Sequence, residues 1–507
     1  MRERTWGWLG PVGVALLALA LRLKDLGRPD VLVFDETYYA KDAYALLQHG
    51  YVRDFVEDAD EKILAGDLTD LFRAEPSQIA HPDAGKWMIA LGEQLFGMDP
   101  FGWRVMAAVV GALTVLVLAR LVRRLTGSTW IGCLAGLLLC LDGVHLVLSR
   151  TALLDVFLTF WVVCGVACLV ADRDQVRERL DRYRPWRPWQ LLAGVCLGLA
   201  CGTKWSGVWV LAAFGVTVVA WEVLARRRFA RTSPDQPRFG WVRTTLAVGV
   251  PAFVSIVVVA LVVYVLTWTG FLLHHEVYAL RFGRGFNDAE PWGDWVRRPT
   301  EGPFGGTLDA LRTLWHFHVM TYDFHTGDFL AGKTHPYASN PAGWLVLERP
   351  VAFDAQNDLP AASCGAPADS SCMRVVTALG NPAVWWPGAL AILASVVAWV
   401  RTRDGRWAVP VVGVAATWLP WFASTDRPIF AFYAVLVVPF TIVATCLVVD
   451  ALRRAATTPR GQYAVGLGTG VMVVAVVACF WYFHPIYTGA LISYDAWYDR
   501  MWFDRWI

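Results

Sequence analysis

Charge is scarce in this 507-residue chain. Asp, Glu, Lys and Arg together supply 17% of it, against about 25% in an ordinary soluble protein. Apolar residues reach 56% and mean hydropathy is +0.42, which excludes a water-soluble fold. Lysine is scarcer still, six of 45 basic residues. The formal net charge of +2 leaves no basic face of the kind a nucleic-acid partner needs. Polar cysteines are nearly absent. Of ten, eight (133, 140, 164, 168, 196, 201, 446 and 479) lie in apolar runs, where Cys behaves as a small hydrophobe. No small-residue cleavage site follows the first apolar run, which therefore reads as a retained anchor rather than a leader. No internal repeat is visible, so nothing points to an inverted-repeat transporter, and no HExxH pattern announces a metal.

What is present is apolar sequence in long blocks. Runs able to cross ~30 Å of hydrocarbon fall near 6–23, 102–122, 129–148, 152–171, 205–224, 244–268, 382–400, 407–424, 429–450 and 463–483, with a shorter one at 189–202. Counting the short run gives eleven spans. With Arg2 and Arg4 inside, the basic loops 120–124, 172–187, 226–231, 401–406 and 453–460 then all fall in the cytoplasm, as the positive-inside rule requires. Dropping it would put Arg226 to Arg231 outside. The expectation is an all-α polytopic membrane protein of about eleven helices with two large extracytoplasmic loops. Its parts are an N-terminal module 1–269 with the first loop 24–101, a second loop 270–381, and a four-span module 382–507 with an extracytoplasmic tail.

Chemistry is expected in those loops. The first opens with VFDETYYAKD (33–42), where Asp35 and Glu36 emerge beside Tyr38, Tyr39 and Lys41. A carboxylate at a membrane surface among rings and cations suits a base working on a lipid-linked substrate. HPDAGKW (81–87) follows, and WMIALGEQLF (87–96) reads as an interfacial amphipathic helix. Arg104, Lys204 and Arg427 stand at outer ends of spans, where a lipid phosphate would find charge-assisted donors. SRTALLDVF (149–157) adds Arg150 and Asp155, expected to form an ion pair. The second loop holds His318, His325 and His335 with Asp323 and Asp328. Their irregular spacing favours a hydrogen-bonded cover over a metal site, although a divalent metal stays open. Cys364 and Cys372 lie in a polar stretch outside the cytoplasm, where a disulfide is expected.

Taken together these stretches resemble the protein O-mannosyltransferases, multi-spanning glycosyltransferases of the GT-C class. The likeness rests on Asp35-Glu36 after the first span, His81-Pro82 with Gly85-Lys86, Arg104 leading the second span, Ser149-Arg150 with Asp155, and Lys204-Trp205. Further on it includes Asn340-Pro341, Trp344, Arg349-Pro350 and the Arg427-Pro428 start of a late span with Phe430 and Tyr433. It is nearest the actinobacterial branch, because loop 270–381 is too short for the MIR domain of eukaryotic members. The resemblance implies transfer of mannose, with inversion, from a polyprenyl-monophosphate carrier to Ser or Thr of secreted proteins at the outer face of the plasma membrane. Proximity to the Sec translocon would fit such acceptors. It implies Asp35 as general base, Glu36 orienting it or the acceptor, and Arg104 and Lys204 on the donor phosphate with Lys86 and His81 in support. Tyr38, Tyr39, Arg150, Asp155, His335 and Arg427 are further donor- or acceptor-site candidates.

Two other readings stay open. One is a GT-C enzyme acting on a cell-envelope glycolipid, such as an aminoarabinose, arabinosyl or mannosyl transferase; the aminoarabinose family carries an Arg after its acidic pair, where this chain has Tyr38. The other is a transporter or flippase, which would place ionisable residues at mid-bilayer in several spans.

Overall fold

The computed structural model of the chain describes residues 2–507 apart from 79, 182, 184–185, 233–239, 286–290, 297 and 299, and the side chains of 2–6. Arg182 and Arg184 of one expected cytoplasmic loop, and the side chains of Arg2 and Arg4, thus lie outside the described residues. Among those described, six helices are long and apolar enough to cross a membrane: Pro100–Thr126, Leu154–Arg177, Gly207–Thr232, Trp241–Thr267, Pro382–Thr402 and Pro459–Thr488. Gly7–Leu23, Thr129–Cys140, Pro188–Cys201 and Ala408–Ala423 are shorter apolar helices, and Val438–Ala455 is a further helix of 18 residues.

Local chemistry sets the boundaries. Asp99 caps Pro100–Thr126 by accepting from the Gly102 amide at 2.8 Å, with Pro100 at the first helical position where its missing N–H costs nothing. The apolar run 129–148 is not one helix. It breaks after Cys140 because Asp142 turns its carboxylate onto the His145 amide at 2.9 Å and starts a second helix, Gly143–Leu148. The buried Asp142 then reaches across the fold, accepting from Trp385 Nε1 at 2.6 Å and from the Asn381 amide at 3.2 Å. Asn381 Nδ2 in turn donates to the carbonyls of Leu141 and Val476, both at 3.0 Å. These bonds, made where no water competes, fasten the C-terminal spans to the N-terminal ones.

The basic loops at one end are held by acids on the helix ends. Arg187 binds Asp172 and Glu222, and Asp450 accepts from Arg454 at 2.8 Å. At the other end short strands accompany the helices of this mostly helical fold. β1 (Arg53–Phe55) pairs with β2 (Phe72–Pro76), and β3 (Val351–Leu359), β4 (Cys372–Ala378) and β5 (Ile492–Ser493) form a second antiparallel sheet in that order. The polar residues between β3 and β4 close a hairpin in which Cys364 and Cys372 are bonded. The C-terminal tail supplies β5, and Arg349 Nη1 ties it down through the carbonyls of Arg505 and Ile507, each at 2.6 Å. The helix Ala84–Phe96 leaves Trp87, Leu91, Leu95 and Phe96 exposed, the pattern of an interfacial helix.

Candidate active site

Asp35 stands just before the helix Glu36–His49, after a residue in an unusual conformation. Phe34 has φ 50°, a region a bulky side chain enters only when its surroundings compensate. Here they are aromatic. The Phe34 ring stacks on Phe353 of β3 at 4.9 Å and meets Phe430 and Phe432 edge-on at 6.0 and 5.6 Å. First loop, second loop and late span therefore cooperate to turn the chain at Asp35.

Glu36 does the rest of the holding. Fully buried, its Oε1 accepts from the Ala152 amide and Arg104 Nε, both at 2.8 Å, and its Oε2 from the Val33 amide at 3.0 Å and Arg104 Nη2 at 2.7 Å. Arg104 is equally occupied. Beyond Glu36 it donates to the carbonyls of Leu26 at 3.3 Å, Pro29 at 2.6 Å and Val31 at 2.8 Å. A guanidinium has five N–H groups, and all five are spent. The expectation was a donor phosphate at Arg104, and in this geometry every N–H of the side chain already has a protein acceptor. Lys86 is also engaged within the protein, its buried ammonium lying 3.0 Å from Asp42 and 3.3 Å from Asp83. Nor do Arg150 and Asp155 pair: Arg150 donates to the carbonyls of Arg22, Lys24 and Asp25 at 2.7, 2.6 and 3.0 Å. Asp155 opens the helix Leu154–Arg177 and takes Lys204 instead, at 2.8 Å.

Asp35 is the exception among these carboxylates. It is half-buried, and among the described residues nothing donates a hydrogen bond to its side chain. Burial pushes its carboxyl up from 3.8 to about 6, the Lys204 charge opposing and the Asp155 charge adding. Lys204, paired with Asp155, sits with Nζ 5.4 Å from the Tyr433 ring centre. Tyr38 points away, 56% exposed.

A basic cluster faces these groups. His81 stacks on His325 at 5.6 Å, nearly parallel, with the Tyr39 ring at 6.3 Å. Burial first, then the charges of Lys204, His325, Lys86 and Arg427, hold His81 well below the usual imidazole range, so it is neutral. Nε2 of His325 donates to the Ala80 carbonyl at 3.1 Å, leaving Nδ1 to accept from Arg427 Nη1 at 3.4 Å. Arg427 is half-buried and makes no ion pair among the described residues. His335 lies further out, its ring edge-on to Phe430 at 5.0 Å. The HPDAGK turn approaches the span ends closely because residue 85 is glycine: a Cβ there would lie 2.8 Å from Leu154 Cδ2 and 2.9 Å from Thr203 Cγ2. Trp205 secures the far side, stacking on His318 at 5.5 Å and donating to the Tyr264 hydroxyl at 2.9 Å.

The sequence names most of these residues but not their pairings, and nothing in it marks Phe34 and Phe353 as supports of the turn at Asp35. An aromatic residue beside an acidic pair carries no signal of a positive φ. Among the described residues, no group of three or more His, Cys, Asp or Glu could hold a metal ion. Beside the Gly202–Thr203 turn opens an apolar groove of about 490 Å³, lined by Ala84, Trp87, Trp161, Leu199, Leu266 and Leu273 among others.

The model of the dolichyl-phosphate-mannose-protein mannosyltransferases matches residues 12–278, and that of the C-terminal four-span region of protein O-mannosyltransferases matches 310–506. A polyprenol-phosphate-mannose–protein mannosyltransferase of Mycobacterium tuberculosis is 36% identical, covering 99% of this chain and 92% of its own length. That of Corynebacterium glutamicum is 31% identical, at 97% and 92%. The fold is similar to a chain of the Saccharomyces cerevisiae Pmt1-Pmt2 complex bound to the sugar donor, with a TM-score of 0.72 at 13% identity, covering 100% of this chain and 93% of that one. By sequence along nearly its whole length, and by fold, the chain belongs to the protein O-mannosyltransferase family.

Proposed function

We infer that this protein transfers mannose from a polyprenyl-phosphate-mannose donor to protein, with Asp35 as general base. One observation carries the chemistry: a carboxylate free of hydrogen bonds, tuned toward neutrality, faces basic groups that are not all neutralised. In the reaction, the acceptor hydroxyl oxygen attacks C1 of mannose while Asp35 takes its proton. The C1–O bond to phosphate breaks on the opposite face, so the anomeric configuration inverts. The departing phosphate is already ionised and needs cations rather than an acid. The full-length likeness to mycobacterial and corynebacterial enzymes of this name supports the substrates, as against a glycolipid acceptor. Membranes given radiolabelled polyprenyl-phosphate mannose and a Ser/Thr-rich peptide should pass label to the peptide; label on lipid alone would overturn the reading.

Donor binding is reassigned from Arg104 to Arg427 acting with Lys204, the neutral His81 adding an uncharged N–H group while His325 holds Arg427 through Nδ1. The polyprenyl chain would run in the 490 Å³ groove beside the Gly202–Thr203 turn. Arg427→Ala and Lys204→Ala should each cost transfer ten- to a hundredfold, since a desolvated phosphate loses a partner worth ~1.5–3 kcal/mol at about 1.4 kcal/mol per decade. Donor titration of the purified variants checks this, and affinities within twofold of the parent would return both residues to a structural role.

We propose that the site faces outward across the plasma membrane on eleven spans, toward Ser and Thr of secreted proteins. The distribution of arginine among the loops supports this orientation. A reporter active only in the cytoplasm should work when fused after Arg228 and stay silent after Ile507. An active C-terminal fusion would mean an even number of spans.

A further inference from the structure

A second cleft lies behind the catalytic turn. Its floor is the face of the second sheet opposite Phe353, from Ala352, Ala355 and Asn357 on β3 and Met373, Val375 and Thr377 on β4. Its walls are Tyr337 and the tail, with Tyr494, Trp497 and Trp506; the volume is about 360 Å³. The tail is held in place there, with β5 paired to β4 and Trp506 Nε1 donating to the Leu347 carbonyl at 2.6 Å. The cleft is thus a built feature. It adjoins the active site through Tyr337, whose ring is 5.8 Å from that of His335, itself packed on Phe430 and through it on Phe34.

The lining selects the ligand class. Asp358 is the one charged side chain in its lining and no cation lines it, so a phosphate is not matched. Aromatic faces with a few amide, carboxylate and hydroxyl groups suit a ligand having one apolar face and an equatorial rim of hydroxyls, which is a pyranose. The bulge between Gln356 and Leu359 puts Asn357 and Asp358 side by side on the cleft, with Asp358 at φ 55°. Neighbouring planar amide and carboxylate groups can donate to and accept from vicinal hydroxyls together. The volume exceeds that of one hexose and falls short of a folded partner.

We propose that this cleft binds a mannosyl residue already attached to the acceptor polypeptide, so that a product with one sugar is held while a neighbouring Ser or Thr reaches Asp35. The identity of the sugar rests on the mannosyltransferase reading above; the cleft's preference for a pyranose does not. Retention of this kind raises the effective concentration of the remaining hydroxyls without a change in the chemistry.

The test compares two peptides of one sequence, one bare and one carrying a single mannosyl-threonine, on the full chain in lipid nanodiscs. The glycopeptide should bind at least fivefold more tightly, and a multi-site peptide should yield multiply mannosylated product early in the reaction. Trp497→Ala and Asn357→Ala should abolish both preferences, while the initial rate on a single-site bare peptide stays within twofold. Asn357 is exposed, so its variant serves where Trp497→Ala fails to fold. Equal affinity for the two peptides, or a preference that survives both substitutions, overturns the proposal. Equal losses for bare and mannosylated peptides would assign the cleft to polypeptide and overturn it as well. Failure of the protein-mannosyltransferase reading itself would show differently, as no transfer to any peptide.

Discussion

Asp35→Asn should lower mannosyl transfer by ~10²–10⁴-fold, the usual contribution of a general base, with donor binding intact. Asparagine keeps the size of the side chain and cannot take the proton. The parent carboxylate accepts no hydrogen bond among the described residues, so the substitution breaks no structural contact. Donor affinity should hold or tighten, because a negative charge beside a phosphate is removed. The pH dependence follows from the same residue. Burial raises its carboxyl to about 6, and only the ionised form can act. Transfer by the parent enzyme should therefore fall about tenfold per pH unit below that value and level off above it, whereas the residual activity of Asp35→Asn should lack this acid limb. Loss of donor binding together with transfer would count against the base role. A well-expressed, active Asp35→Asn enzyme would end it.

Arg104→Ala should cost the fold ~3–5 kcal/mol, the typical penalty for leaving one member of a buried ion pair alone. Glu36 is fully buried and would keep its charge with two backbone amides as its only remaining partners. Three carbonyls of the loop ahead of Asp35 would lose their donor as well. Thermal unfolding in detergent, followed with and without donor, should show a large loss of midpoint that donor does not selectively restore. Glu36→Gln should be destabilising in the same sense, and Glu36→Gln combined with Arg104→Met should lose less than the two single losses added, because the pair acts as a unit. A normally stable Arg104→Ala protein with weakened donor affinity would reverse the assignment and return Arg104 to the phosphate.

These two results also mark where sequence reasoning reaches its limit. Long apolar runs, arginine-rich loops on one side and acidic or histidine motifs on the other are properties of local composition, and bilayer physics turns them into spans with sidedness. The fold class and the amphipathic helix at Ala84–Phe96 were accordingly readable from the chain alone. Asp35 and Glu36 are adjacent and chemically alike, and nothing in their order says which stays free. The fold decides that: helix geometry turns Glu36 inward onto Arg104 and the Ala152 amide, 68 and 116 positions away, while Phe34, braced by Phe353 from the second loop, leaves Asp35 at the site. The cations divide in the same manner. Lys86, Arg104 and Arg150 look from sequence like Lys204 and Arg427, and only the fold shows how many carboxylates and carbonyls are brought to each. A partner distant in sequence carries no local signal, because the cost of burying a charge alone is met by whatever the tertiary fold brings beside it.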